Sequence, residues 1–154
     1  MKRNCIIISL LALLVVTRVS AQGVSFHSEV IANVIKSHIG VEETASVSTS
    51  QLDTITVLDL SDLGLTDVRD LLAVPNVRRL NLEGNKLEDI SPLANLENLS
   101  ELKLCHNQLE SINEMLFSLS PKMTIDVAFN YIQDFSGFNT LTPCCFTIEG
   151  TSFQ

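Results

Sequence analysis

The chain has 154 residues, with 10 Lys+Arg against 18 Asp+Glu and a formal net charge of −8. Lys2, Arg3 and Arg18 all fall between Met1 and Ala21, a stretch without a carboxylate, so the chain from Gln22 onward carries 7 basic and 18 acidic side chains, a net of −11. That surface repels phosphate backbones and anionic membranes, which argues against nucleic acid as a partner. Four Cys, no Trp and one Tyr argue against a disulfide-dense miniprotein.

Met1-Lys2-Arg3 gives a positive start, and Cys5 to Val16 is an apolar run in which only Ser9 is polar. Val19-Ser20-Ala21 then places small or aliphatic residues before Gln22, the layout of a secretory signal peptide, with Arg18 as a departure near the cleavage site. A bilayer span needs about 20 apolar residues, so this run is too short to be one. The expectation is a signal peptide over 1–21, export to a secreted, periplasmic or cell-surface location, and no membrane span.

A helical cap and lead-in are expected over 22–50. Phe26, Val30, Ile31, Val34, Ile35 and Ile39 form an apolar stripe at helical spacing. Ser25 is the expected N-cap, Glu29 favours the first turn, and Gly40 stops the helix. His27 and His38 are read as surface residues of that helix. A polar stretch from Val41 to Ser50 leads to Gln51-Leu52-Asp53, where repeats begin.

The remainder repeats. Val77, Leu80, Leu82, Asn85, Leu87, Ile90, Leu93 and Leu96 are spaced 3, 2, 3, 2, 3, 3 and 3. The same spacing recurs after it from Leu99 to Ile112 and before it from Ile55 to Val74, in unbroken register. A fourth copy, Ile125 to Leu141, follows one position late. This is a leucine-rich-repeat pattern, LxxLxLxxNxL, predicted over 51–143 in about four units. The step of 2 puts both side chains on one face of a short strand. The steps of 3 fit a 3₁₀ turn, which has about 3.0 residues per turn. The fold class is therefore α/β, a right-handed solenoid of strands and 3₁₀ returns with an N-terminal capping helix. Asn85, Asn107 and Asn130 are predicted to form a buried structural ladder. Leu63 stands at the equivalent position of the first unit. In the third unit Ile112, Leu116 and Leu119 predict a short α-turn closed by Pro121. Residues 144–154 are expected to be a degenerate cap strand, with Cys145, Ile148, Gly150 and Phe153 at a fifth unit's first, fourth, sixth and Asn positions.

The stretch Leu80-Asn81-Leu82-Glu83-Gly84-Asn85-Lys86-Leu87-Glu88-Asp89-Ile90-Ser91-Pro92-Leu93 resembles the 22-residue repeat subclass of the internalin family of bacterial surface proteins. The leading helix followed by Leu58-Asp59-Leu60-Ser61 and Leu65-Thr66-Asp67-Val68 is also similar to the way internalin-like domains begin. The similarity spans about residues 24–141, and the Asp-Ile-Ser-Pro-Leu segment is its most specific part. Internalins usually carry more repeats and wall-anchoring or immunoglobulin-like modules that have no counterpart here, so receptor-contacting residues are not carried over. The resemblance implies extracellular recognition of a protein without catalysis.

On each strand the residues beside the buried pair face the concave side: Val57, Asp59 and Ser61; Arg79, Asn81 and Glu83; Glu101, Lys103 and Cys105; Thr124, Asp126 and Ala128. Two readings stand for this strip. One is a self-neutralising charge ladder, in which Arg79 lies beside Glu101 and Lys103 between Asn81 and Asp126. The other is a partner-binding surface made of Asp59, Arg79, Asn81, Glu101, Lys103, Asp126 and Phe129. Phe129 is either an exposed anchor or packed on the C-terminal cap.

No nucleophile–base pair, phosphate loop or paired-carboxylate motif stands out, so no enzymatic activity and no cofactor are expected. Cys105, His106, Cys144 and Cys145 lack the spacing of a zinc site, and no metal is expected. The function expected is a secreted binding module that recognises a protein through its concave strands, on a host or cell surface. The alternative is a structural envelope protein that self-associates, as a homodimer, through the weakly capped C-terminal coil and its cysteines.

Overall fold

The computed structural model describes residues 23–112 and 123–133, and the backbone of a strand at Phe146–Thr147. The expected signal peptide over 1–21, the α-turn expected beyond Ile112, and the expected cap residues other than 146 and 147 lie outside the described residues.

Each repeat unit contributes one short strand. β1 is Val57–Asp59, β2 Arg79–Asn81, β3 Glu101–Lys103 and β4 Thr124–Asp126, and the shorter β5 is Phe146–Thr147. They form one parallel sheet in the order β1-β2-β3-β4-β5. Leu58, Leu80, Leu102 and Ile125 stand in register across it. Two steps on, Leu60, Leu82, Leu104 and Val127 are fully buried beside them. Period-2 alternation thus drives one face of β1 to β4 into the core and leaves the other uncovered among the described residues.

The steps of 3 become two 3₁₀ turns, Arg69–Ala73 and Ser91–Asn95. In the first, the Leu71 amide donates to the Val68 carbonyl at 3.0 Å, Val74 to Leu71 at 3.0 Å and Val77 to Val74 at 3.3 Å. The second repeats this through Ile90, Leu93, Leu96 and Leu99, all at 3.0 Å. Each apolar residue of the period is therefore both buried and bonded to the next. Asp67 and Asp89 open the two turns, accepting the Arg69 and Ser91 amides at 2.8 Å.

Three buried asparagines bridge neighbouring coils. Asn85 accepts the Leu63 and Leu65 amides at 3.2 and 2.9 Å and donates to the Leu60 and Leu82 carbonyls at 2.8 and 2.9 Å. Asn107 accepts from Leu87 at 3.1 Å and donates to Leu82 and Leu104 at 2.9 and 3.0 Å. Asn130 accepts from Leu109 at 3.1 Å and donates to Leu104 and Val127 at 2.9 Å. Every bridge runs to its own coil and to the one before it. The first coil has none before it, which is why Leu63 can stand where the others carry Asn. Among the described residues no buried side-chain nitrogen or oxygen lacks a partner.

The strand exits turn on left-handed corners. Asp62, Gly84, His106 and Phe129 occupy equivalent places, with φ of 56°, 68°, 56° and 55°. Only Gly84 adopts this region without steric cost. A Cβ on Gly84 would also collide with Asp62 Oδ1, because the Asp62 carboxylate leans over it.

The N-terminal end is closed by α1, Glu29–His38. Its N-cap is Ser28, not Ser25, and Ser28 Oγ accepts the Ile31 amide at 3.4 Å. The cause is a tertiary bond. Asp70, on the first 3₁₀ turn, accepts the His27 and Ser28 amides at 2.9 and 2.7 Å and fixes the chain just ahead of the helix. His27 therefore precedes α1 rather than lying on it. Ile31 and Ile35 are fully buried, but Val30 is 43% exposed, so the stripe facing the core is narrower than its spacing suggested. Within the polar lead-in, α2 (Thr49–Leu52) forms a helical turn that its composition did not announce. Ser48 sets it by donating its amide to Gln51 Oε1 at 3.0 Å, and Leu52 plugs the core with no exposure.

β5 corrects the expected fifth unit. Phe146 pairs with Ile125 and Thr147 with Asp126, so Phe146 holds the fourth position that Ile148 was expected to hold. A shift of two positions keeps every residue on its original face, so alternation alone could not exclude it.

Candidate recognition surface

The uncovered sheet face is a grid of three rows set by the strand register. Val57, Arg79, Glu101 and Thr124 form the first row, and Asp59, Asn81, Lys103 and Asp126 the second. Ser61, Glu83, Cys105 and Ala128 follow at the strand exits. Val57, Asp59, Arg79, Lys103 and Thr124 are exposed, and Asn81, Glu83, Glu101 and Asp126 are half-buried. Cys105 and Ala128 do not belong to the exposed strip. They are 7% and 4% exposed.

The second row does structural work. Asp59 Oδ1 accepts the Ser61 amide at 3.0 Å and its hydroxyl at 2.7 Å. Asn81 accepts the Glu83 amide and Asp126 the Ala128 amide, both at 3.1 Å. These side chains tie off the strand end two positions on, a local turn motif typical of Asx residues. The Ser61 hydroxyl and amide hold the Asp59 carboxyl below the usual carboxylate range, with smaller help from Asn81 and the Lys103 charge.

Lys103 alone in this row has no turn to close. Arg79 pairs in register with Glu101, and Lys103 with Asn81 and Asp126. Among the described residues the ion pairs within 4.0 Å are His27–Asp70 and Arg69–Asp67, so the strip is not stitched into a ladder of contact pairs. Both cations keep their heads in solvent.

Phe129 lies at the edge of this face, 49% exposed. Its ring stacks on His106, with centroids 4.3 Å apart and planes within 4°. Tyr131, two positions on, is 55% exposed. The His106–Phe129 stack follows from two left-handed corners falling in adjacent coils, a relation visible only once the repeat register is laid out.

Asp70 is the residue sequence reasoning missed. It is 7% exposed and accepts the His27 ring Nδ1 at 3.0 Å as well as the two amides. Burial opposes its ionisation, but the His27 and Ser28 amides and the ring outweigh this and lower its pKa. With Ser28, Asp67, Arg69 and His27 it lines a shallow pocket where cap and first coil meet. A second, exposed asparagine pair also escaped notice. Asn76 donates to the Asp53 carbonyl at 2.9 Å, and Asn98, one repeat further on, to Pro75 at 3.2 Å. Cys105 is held as a neutral thiol. Burial, then a hydrogen bond with Glu83 and the charges of Asp126 and Glu83, push its pKa to about 11. No group of three or more His, Cys, Asp or Glu able to hold a metal occurs among the described residues. Nor is any described helix long and apolar enough to cross a membrane.

A parallel sheet of one short strand per coil, 3₁₀ returns and a buried asparagine ladder define a leucine-rich-repeat solenoid, a repeat fold that presents an extended concave surface. Residues 75–118 match the family described as leucine-rich repeats in two copies. Among solved structures, an internalin (InlF) from Listeria monocytogenes is 26% identical with a TM-score of 0.62, over 70% of this chain and 32% of its own. Internalin C2 from the same organism is 23% identical with a TM-score of 0.65, over 81% of this chain and 66% of its own. The functional domain of InlJ from Listeria monocytogenes, which includes a cysteine ladder, is 22% identical with a TM-score of 0.63, over 76% of this chain and 26% of its own. The chain thus carries leucine-rich repeats and is similar in fold to these internalins, spanning from about a quarter to two thirds of their length. No curated protein matches it.

Proposed function

We propose that the chain is an exported recognition module that binds a protein partner on its concave strand face and carries out no catalysis. In this reading residues 1–21 are a signal peptide, 22–50 the N-terminal cap, 51–143 the repeats and 144–154 the terminal cap. The basic, apolar and small-residue succession at the N-terminus supports export. The observation that carries the reading is the pair of exposed cations, Arg79 and Lys103, on adjacent strands of an uncovered face, neither within 4.0 Å of a carboxylate among the described residues. Glu101 and Phe129 complete the contact surface. Asp59, Asn81 and Asp126 shape it by closing the strand ends and offer their remaining polar atoms.

Arg79→Glu and Lys103→Glu test this. Each is expected to abolish capture of a partner from native envelope or culture medium while leaving the melting temperature unchanged. Capture unaffected by both reversals would refute the concave strip as the binding surface.

A further inference from the structure

The His106–Phe129 stack is a surface feature without a packing duty. The buried residues around it, Leu104, Asn107, Val127 and Asn130, already close the core and its hydrogen bonds. Yet both rings are held outward at left-handed corners, where the preceding coil uses Gly84. At the Gly84 corner the Asp62 carboxylate overhangs the glycine and fills the space a Cβ would take. Glu83 and Asp126 flank Cys105, the residue before His106. Among the described residues Asp126 bonds the Ala128 amide through Oδ1. Asp62, Glu83 and Asp126 supply carboxylates along this edge. The rim therefore sets aromatic faces beside carboxylate acceptors.

We propose that this rim, where the Asp62 carboxylate over Gly84 adjoins the His106 ring that Phe129 backs, is the seat for an arginine side chain on an exposed segment of the protein partner. A guanidinium is planar, so it stacks on an aromatic face while its edge donates two parallel bonds to a carboxylate. Lysine cannot make the bidentate contact, and an uncharged group loses the attraction to the carboxylates. The seat rests on the reading of the chain as a protein-binding module and adds what that module reads at its edge.

The chain carries its own reporter, because Tyr131 is its single tyrosine and it has no tryptophan. Three blocked Gly/Ser peptides, identical except for two arginines, two lysines or two citrullines, are titrated at about 0.15 M salt, where interactions beyond about 8 Å are screened. The arginine peptide is expected to change Tyr131 emission saturably, the lysine peptide to bind about tenfold more weakly, and the citrulline peptide not to bind. Phe129→Gly keeps the corner, since glycine adopts that conformation freely, and is expected to weaken the arginine peptide about tenfold. Asp62→Asn is expected to do the same, with circular dichroism unchanged in both. Equal binding of the arginine and citrulline peptides, no saturable response, or full binding to Phe129→Gly would overturn the seat. If Arg79→Glu abolishes partner capture while the arginine peptide fails to bind, the seat falls and the concave strip stands. If the peptide binds while charge reversal leaves capture intact, the strip falls and the seat stands.

Discussion

Asn85→Ala and Asn107→Ala look equivalent in the repeat, but their bonding differs. Removing Asn107 orphans one buried amide, that of Leu87. The three carbonyls it served each keep another donor, Leu82 through Asn85, Leu104 through Asn130 and Cys105 through the Gly84 amide. One unsatisfied buried amide, with a small truncation, costs about 2 kcal/mol. Removing Asn85 strands both the Leu63 and Leu65 amides and also leaves the Leu60 carbonyl without its side-chain donor. That loss is about 4 kcal/mol. For a domain of this size, about 4 °C of melting temperature accompanies each kcal/mol, so the expected falls are about 8 °C and about 16 °C. Asn98→Ala, at the exposed pair, is the control and should stay within about 0.5 kcal/mol of the parent. Thermal melts by circular dichroism, with urea titrations to verify an unchanged m-value, measure all three. An Asn107 variant as damaged as the Asn85 variant, or both no worse than Asn98→Ala, would refute the bond-by-bond accounting.

Two further outcomes follow from ionisable groups. Asp70 has a lowered pKa in the folded chain, so its contribution is present above the unfolded carboxylate value of about 3.9 and is lost as pH falls through the lower folded value. Asp70→Asn should therefore destabilise the N-terminal cap at neutral pH, with the difference from the parent vanishing in strong acid. A melting-temperature gap that is constant from pH 7 to about 2 would contradict this. Cys105, whose thiol is raised to about 11, should resist iodoacetamide at neutral pH until the chain unfolds. Peptide mapping that finds Cys105 alkylated as quickly in buffer as in urea would refute it.

The repeat was legible because one spacing serves two purposes, setting which side chains are buried and which amides meet which carbonyls. Leu71 and Leu93 are both core residues and links in the 3₁₀ chains, so the periodicity reported both. Asp70 was illegible from the repeat. It occupies the place of Pro92 one unit on, and its partners lie far back along the chain in the cap. The one available hint was an acid placed directly before a core residue of the 3₁₀ turn. Tertiary pull from that carboxylate also moved the helix cap from Ser25 to Ser28. The β5 register failed for a different reason, since a slip by two positions conserves alternation. The exposed face was readable as positions but not as roles, because an Asx side chain that binds a partner and one that closes its own turn have the same letter.

The backward reach of the asparagine bridges gives the molecule an order of completion. The Leu63 and Leu65 amides of the first coil wait on Asn85, Leu87 waits on Asn107 and Leu109 on Asn130. As the chain emerges from its N-terminus, every coil stays unfinished until the next has followed it, and the helix anchored by Asp70 supplies the first surface on which the growing stack can rest.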